Sequence, residues 1–91
     1  MTTLYLVWHE PTPPRRADAP IAWDGDAHPL NDTTWLVRSD LTLSRLYHGI
    51  KRQLPDGSAL LVAPLEDRPD GWPKFKHMKA GALAWLRRQR E

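Results

Sequence analysis

His9 and Glu10 stand side by side behind the short apolar run Leu4-Tyr5-Leu6-Val7-Trp8. A strand end delivers side chains to a cleft. A carboxylate beside an imidazole there can hold a divalent cation or pass a proton. The same pair also suits a place where a strand simply meets solvent. Asp24, Asp26 and His28 form a second candidate, spaced D-x-D-x-H. In extended chain they project to one side and suit a hard cation. Around Gly25 they are equally ordinary turn formers. The later ligands of a calcium loop are missing. Ser39, Ser44 and Ser58 have no nucleophile-elbow setting, and the five glycines are too scattered for a phosphate-cradling loop. Nucleotide hydrolysis is therefore not expected.

The basic residues carry a different chemistry. Arg45, Lys51 and Arg52 fall on one helical stretch, and Lys74, Lys76, Lys79, Arg87, Arg88 and Arg90 crowd the end of the chain against Glu91 alone. The net charge of +2 hides this asymmetry, because the first half is slightly acidic. A basic end on a near-neutral body suits an anionic partner, and such side chains can track phosphates. Trp72 and Phe75 lie among the lysines, where aromatic rings can stack on bases. The plainer readings are a solvated helix face and core packing. Five tryptophans in 91 residues is a high count for a thin core. Trp23, Trp72, Phe75 and Trp85 are accordingly expected at an interface, in a homodimer or with a protein partner.

Composition bounds the setting for this chemistry. A chain of 91 residues, 41% hydrophobic and 26% charged, is one ordinary globular domain. It has no cysteine, so disulfides and thiolate metal sites are out of reach. No segment approaches the roughly 20 apolar residues of a membrane span, and the start lacks a basic, then apolar, leader pattern. The expected location is the cytoplasm.

The elements that must position these residues follow from pattern. Leu4–Trp8 reads as a strand apolar on both faces, inside a sheet. Residues 11–30 hold Pro11, Pro13, Pro14, Pro20 and Pro29, which predicts a loop rather than a helix, pinned by Ile21, Ala22 and Trp23. A short strand around Ala27–Leu30 can form a hairpin through Asn31-Asp32. Thr33–Arg38 reads as a strand with Trp35 and Val37 on one side and Leu36 and Arg38 on the other. Thr42, or alternatively Asp40, caps a helix whose stripe is Leu43, Leu46, Tyr47, Ile50 and Leu54. Pro55-Asp56-Gly57 ends that helix, and Ser58–Ala63 is the next strand. A final basic helix is expected over residues 74–90, entered after Pro73, with Phe75, Met78, Ala82, Trp85 and Leu86 on one face.

The segment His28-Pro29-Leu30-Asn31-Asp32-Thr33-Thr34-Trp35-Leu36-Val37-Arg38-Ser39-Asp40-Leu41, followed by a helix and Ser58-Ala59-Leu60-Leu61-Val62, resembles a known family. These are the small ferredoxin-like proteins related to the CRISPR-associated spacer-integration subunit, also described as metal-dependent endoribonucleases. The resemblance covers roughly residues 27–65. It implies an α+β domain with an antiparallel or mixed sheet, helices on one face, and a dimer. The family carries an aspartate at the end of its first strand. Here Trp8-His9-Glu10 stands in that place, with Glu10 or His9 as the only substitutes. The family's first helix is replaced by the proline-rich stretch. The expected function is therefore nucleic-acid binding without strong nuclease activity and without a cofactor. A protein-binding module, such as a phage- or plasmid-borne inhibitor or an adaptor, is the alternative. A weak nuclease using His9, Glu10 and Asp40, with a divalent cation, is the third reading.

Overall fold

The computed structural model describes residues 2–10 and 21–88. The expected proline-rich loop over 11–30 falls partly outside these residues, and so does the end of the expected C-terminal helix, with Arg90. Four strands are described: β1 (Thr3–Glu10), β2 (Asp26–Pro29), β3 (Thr34–Ser39) and β4 (Ala59–Leu65). Two helices join them: α1 (Leu43–Lys51) between β3 and β4, and α2 (Ala82–Arg88) at the end. The sheet order is β2-β3-β1-β4, and every neighbouring pair is antiparallel. Because β3 and β4 both run against β1, they are parallel to each other with β1 between them. This order of strands, with α1 crossing from β3 to β4, is compatible with a ferredoxin-like arrangement.

β1 is central because both of its faces are apolar. Side chains alternate across a strand, and the registers Leu4↔Leu65, Leu6↔Leu36, Val7↔Trp35 and Val7↔Val62 assign each residue to a face. On one face Tyr5, Val7 and Val37 pack with Leu46 and Ile50 of α1. On the other, Leu4 and Leu36 pack with Ala82, Trp85 and Leu86 of α2. The helices thus cover opposite faces of the sheet rather than one, as was expected. The physical reason is the composition of β1 and β3, which leaves two apolar faces to be buried.

Thr42 caps α1, its hydroxyl accepting from the Arg45 amide at 3.3 Å. Leu46 and Ile50 are buried as the helical spacing requires, while Leu43, at the first turn, is exposed. The second helix begins later than its pattern predicts. Gly81 takes φ 94° and His77 φ 60°, and the Lys79 amide donates to the Leu30 carbonyl instead of to a helical partner. Residues 72–81 therefore form an irregular arm laid across the β2–β3 hairpin. No helix of the described residues is long and apolar enough to cross a membrane.

Candidate functional site

A strand turns successive side chains to opposite faces, and this separates the first catalytic candidate. His9 lies on the α1 face at 6% exposure, whereas Glu10 is exposed on the α2 face. Asp40 follows Ser39, which pairs with Thr3 at the other end of β1, and it accepts from the Thr2 hydroxyl at 2.6 Å. Six residues of β1 put it roughly 20 Å from His9. The three groups of the nuclease reading are not brought together.

Of Asp24, Asp26 and His28, the last two share one face of β2 and both meet Trp85, while Asp24 stands apart. Asp24 is exposed ahead of β2. Asp26 accepts from the Trp85 indole N–H at 3.0 Å and lies 3.9 Å from the Arg88 guanidinium. His28 stacks on Trp85 with ring centroids 5.9 Å apart. Among the described residues no group of three histidine or acidic side chains is placed to hold a metal ion.

The expected interface aromatics are mostly accounted for within one chain. Trp85 is 4% exposed inside the core. Its burial takes it out of the interface set. Trp23 leans on Trp35, centroids 5.1 Å apart, and packs against the α1-side core. Trp72 and Phe75 are half-buried against the α2-side core.

Those last two also border a groove. Pro69, Trp72, Pro73, Lys74, Phe75 and Leu83 line a shallow cavity of about 380 Å³ between the arm and α2. Leu83, exposed on α2, forms its far wall. Trp72 is held in one orientation there. Its indole donates to Asp67 Oδ1 at 2.9 Å, and Asp67 is itself clamped by Arg38 through two hydrogen bonds of 2.8 Å. Arg38, at 5% exposure, also donates to the Trp85 and Leu86 carbonyls and sits 4.6 Å from the Trp85 ring centroid. A bidentate arginine–carboxylate pair gives fixed geometry. The sheet thereby fixes both α2 and the groove wall through one buried cation. Sequence pattern placed Arg38 on the correct face but gave no sign of this role, because its partner Asp67 lies in a turn 29 residues away.

The cations divide into two surfaces. Lys79 lies 3.6 Å from Asp32 and Arg88 is near Asp26, so both have acidic neighbours. Among the described residues no ion pair joins Lys74, Lys76 or Arg87 to an acid. Arg45, Lys51 and Arg52 are also without one, but they project from α1, on the opposite side of the sheet. The two basic sets therefore do not form one track.

β4 is an edge strand, and its seven residues carry no charge. Leu61, midway along it, is 51% exposed and lies beside half-buried Trp8. Comparison with protein-family models, with curated proteins and with solved structures finds no match for this chain.

Proposed function

We propose that this chain is a ferredoxin-like, cytoplasmic nucleic-acid-binding protein, related in pattern to the CRISPR-associated spacer-integration subunits and lacking strong nuclease activity. The observation that supports this best is the groove where Trp72 and Phe75 meet Lys74. Aromatic rings beside lysines suit a single strand, whose bases stack while its phosphates meet the cations. Lys76 follows Phe75 in the chain and Arg87 lies one helical turn beyond Leu83, adding two exposed cations to these segments. The separation of His9, Glu10 and Asp40 argues against hydrolysis by those residues.

Binding of a short fluorescently labelled single strand, followed by anisotropy, tests the reading. The wild-type chain should bind at low salt, and Lys74→Ala with Lys76→Ala should weaken binding. No change of anisotropy at low salt would remove the proposal.

A protein-binding role is the second reading, favoured by β4. An uncharged edge strand is a template for strand addition, and in β4 Pro64 removes one backbone donor, which leaves residues 59–63 for pairing. A second copy of the chain is the simplest occupant, since two β4 strands can pair about a two-fold axis.

A further inference from the structure

The α1 cations border a cavity of their own. A cleft of about 510 Å³ opens between the last turns of α1, the Pro55-Asp56-Gly57 turn and the start of β4. Its volume falls in the range of about 300–1,000 Å³ usual for small-ligand sites. The lining is of two kinds. Tyr47, Leu54 and Leu60 supply an apolar wall, while His48, Lys51 and Arg52 supply cations or donors. The Tyr47 ring is braced by His48, edge-on with centroids 5.2 Å apart.

Cations near a helix C-terminus have a simple explanation in the exposed carbonyls there. In α1 those carbonyls are already engaged. His48 O accepts from the Arg52 amide, Ile50 O from the Gln53 amide, and Lys51 O from the Leu54 amide. Gly49 O accepts from the Gln53 side chain at 3.3 Å. No acidic residue occurs within α1, and no ion pair joins Lys51 or Arg52 to an acid among the described residues. Two cations therefore face a cleft whose backbone acceptors are largely spent. Asp56 adds a carboxylate to the lining, able to accept from hydroxyl groups.

We propose that this cleft binds a nucleoside phosphate. Lys51 and Arg52 would take the phosphate, which suits a guanidinium especially. The Tyr47 wall would pack against the base, and Asp56 would accept from the ribose. The same chemistry is present in a free nucleotide and in the 5′-phosphorylated end of a strand. The proposal stands apart from the Trp72–Phe75 groove, which lies across the sheet and involves none of these residues.

Isothermal titration of the full chain with ADP, adenosine and tripolyphosphate tests it. ADP should bind, and adenosine and tripolyphosphate should each bind at least about tenfold more weakly, because each lacks one half of the recognition. Arg52→Ala and Lys51→Ala, both at exposed positions, should each weaken ADP by about tenfold or more, the loss expected for one charge-assisted contact. Lys74→Ala should leave ADP binding unchanged. Absence of ADP binding at millimolar concentration, equal affinity for tripolyphosphate, or an unaltered Arg52→Ala variant would each overturn the proposal. Competition of ADP by a 5′-phosphorylated trinucleotide, but not by its 5′-hydroxyl form, would assign the site to strand ends. Competition by neither would assign it to free nucleotides.

Discussion

Arg38 and Asp67 show how a single pair ties stability to the candidate groove. The guanidinium is buried and reaches both the Asp67 carboxylate and the end of α2. Removing the carboxylate leaves a buried cation with two carbonyls and the Trp85 ring but, among the described residues, no counter-charge. Asp67→Ala should therefore lower stability by about 3 kcal/mol, read as a shift of the urea midpoint. The same substitution removes the acceptor of the Trp72 indole N–H and should weaken single-strand binding. Gly25 is a second sensitive residue. At φ 122° a side chain is strained, and an added Cβ would lie 2.1 Å from the Arg38 carbonyl oxygen. Gly25→Ala should destabilise by more than about 1 kcal/mol, in contrast to the usual gain from replacing glycine. At this scale the sequence was least informative. Alternation separates His9 from Glu10, and a hydrogen bond to a core tryptophan engages Asp26. Neither fact follows from residue types and spacing until the strand boundaries are known.

Elements were more legible than sites. The apolar run of β1, the alternation of β3, the Thr42 cap and the stripe of α1 each follow from local physics, and the strand–helix–strand unit stands as read. Thr42→Ala should cost about 1 kcal/mol, measurable by thermal or chemical unfolding, as expected for loss of an N-cap. The C-terminal helix was less legible. Phe75, Met78 and Ala82 fit a helical face by spacing, but Gly81 and the Lys79–Leu30 hydrogen bond hold residues 72–81 in an irregular path. A tertiary contact there outweighs periodicity. The side on which a helix packs is also not written in its own residues. It is decided by which sheet face remains uncovered, so α2 lies opposite α1.

For the whole molecule, the sheet is a divider. It keeps the α1 cations away from those near α2, so among the described residues there are two distinct basic surfaces and an uncharged edge strand, β4. The count of tryptophans in the sequence pointed to an interface, yet the core and its margins absorb most of them. Among the described residues Leu61 on β4 is the most exposed large apolar side chain, ahead of Leu83, Leu43 and Met78. If two copies pair through that edge, Leu61→Lys should shift sedimentation from dimer to monomer while leaving the circular dichroism spectrum unchanged. A wild-type chain that sediments as a monomer at all accessible concentrations would exclude edge pairing between copies. The central claim, that the groove beside α2 binds nucleic acid, is tested most directly by the salt dependence of single-strand affinity. Plotted as log K against log salt, the wild-type slope should be negative, and Lys74→Ala should reduce its magnitude by about 0.7, the contribution of one neutralised phosphate on a single strand. A slope of zero, or a slope unaltered in Lys74→Ala, would contradict the account.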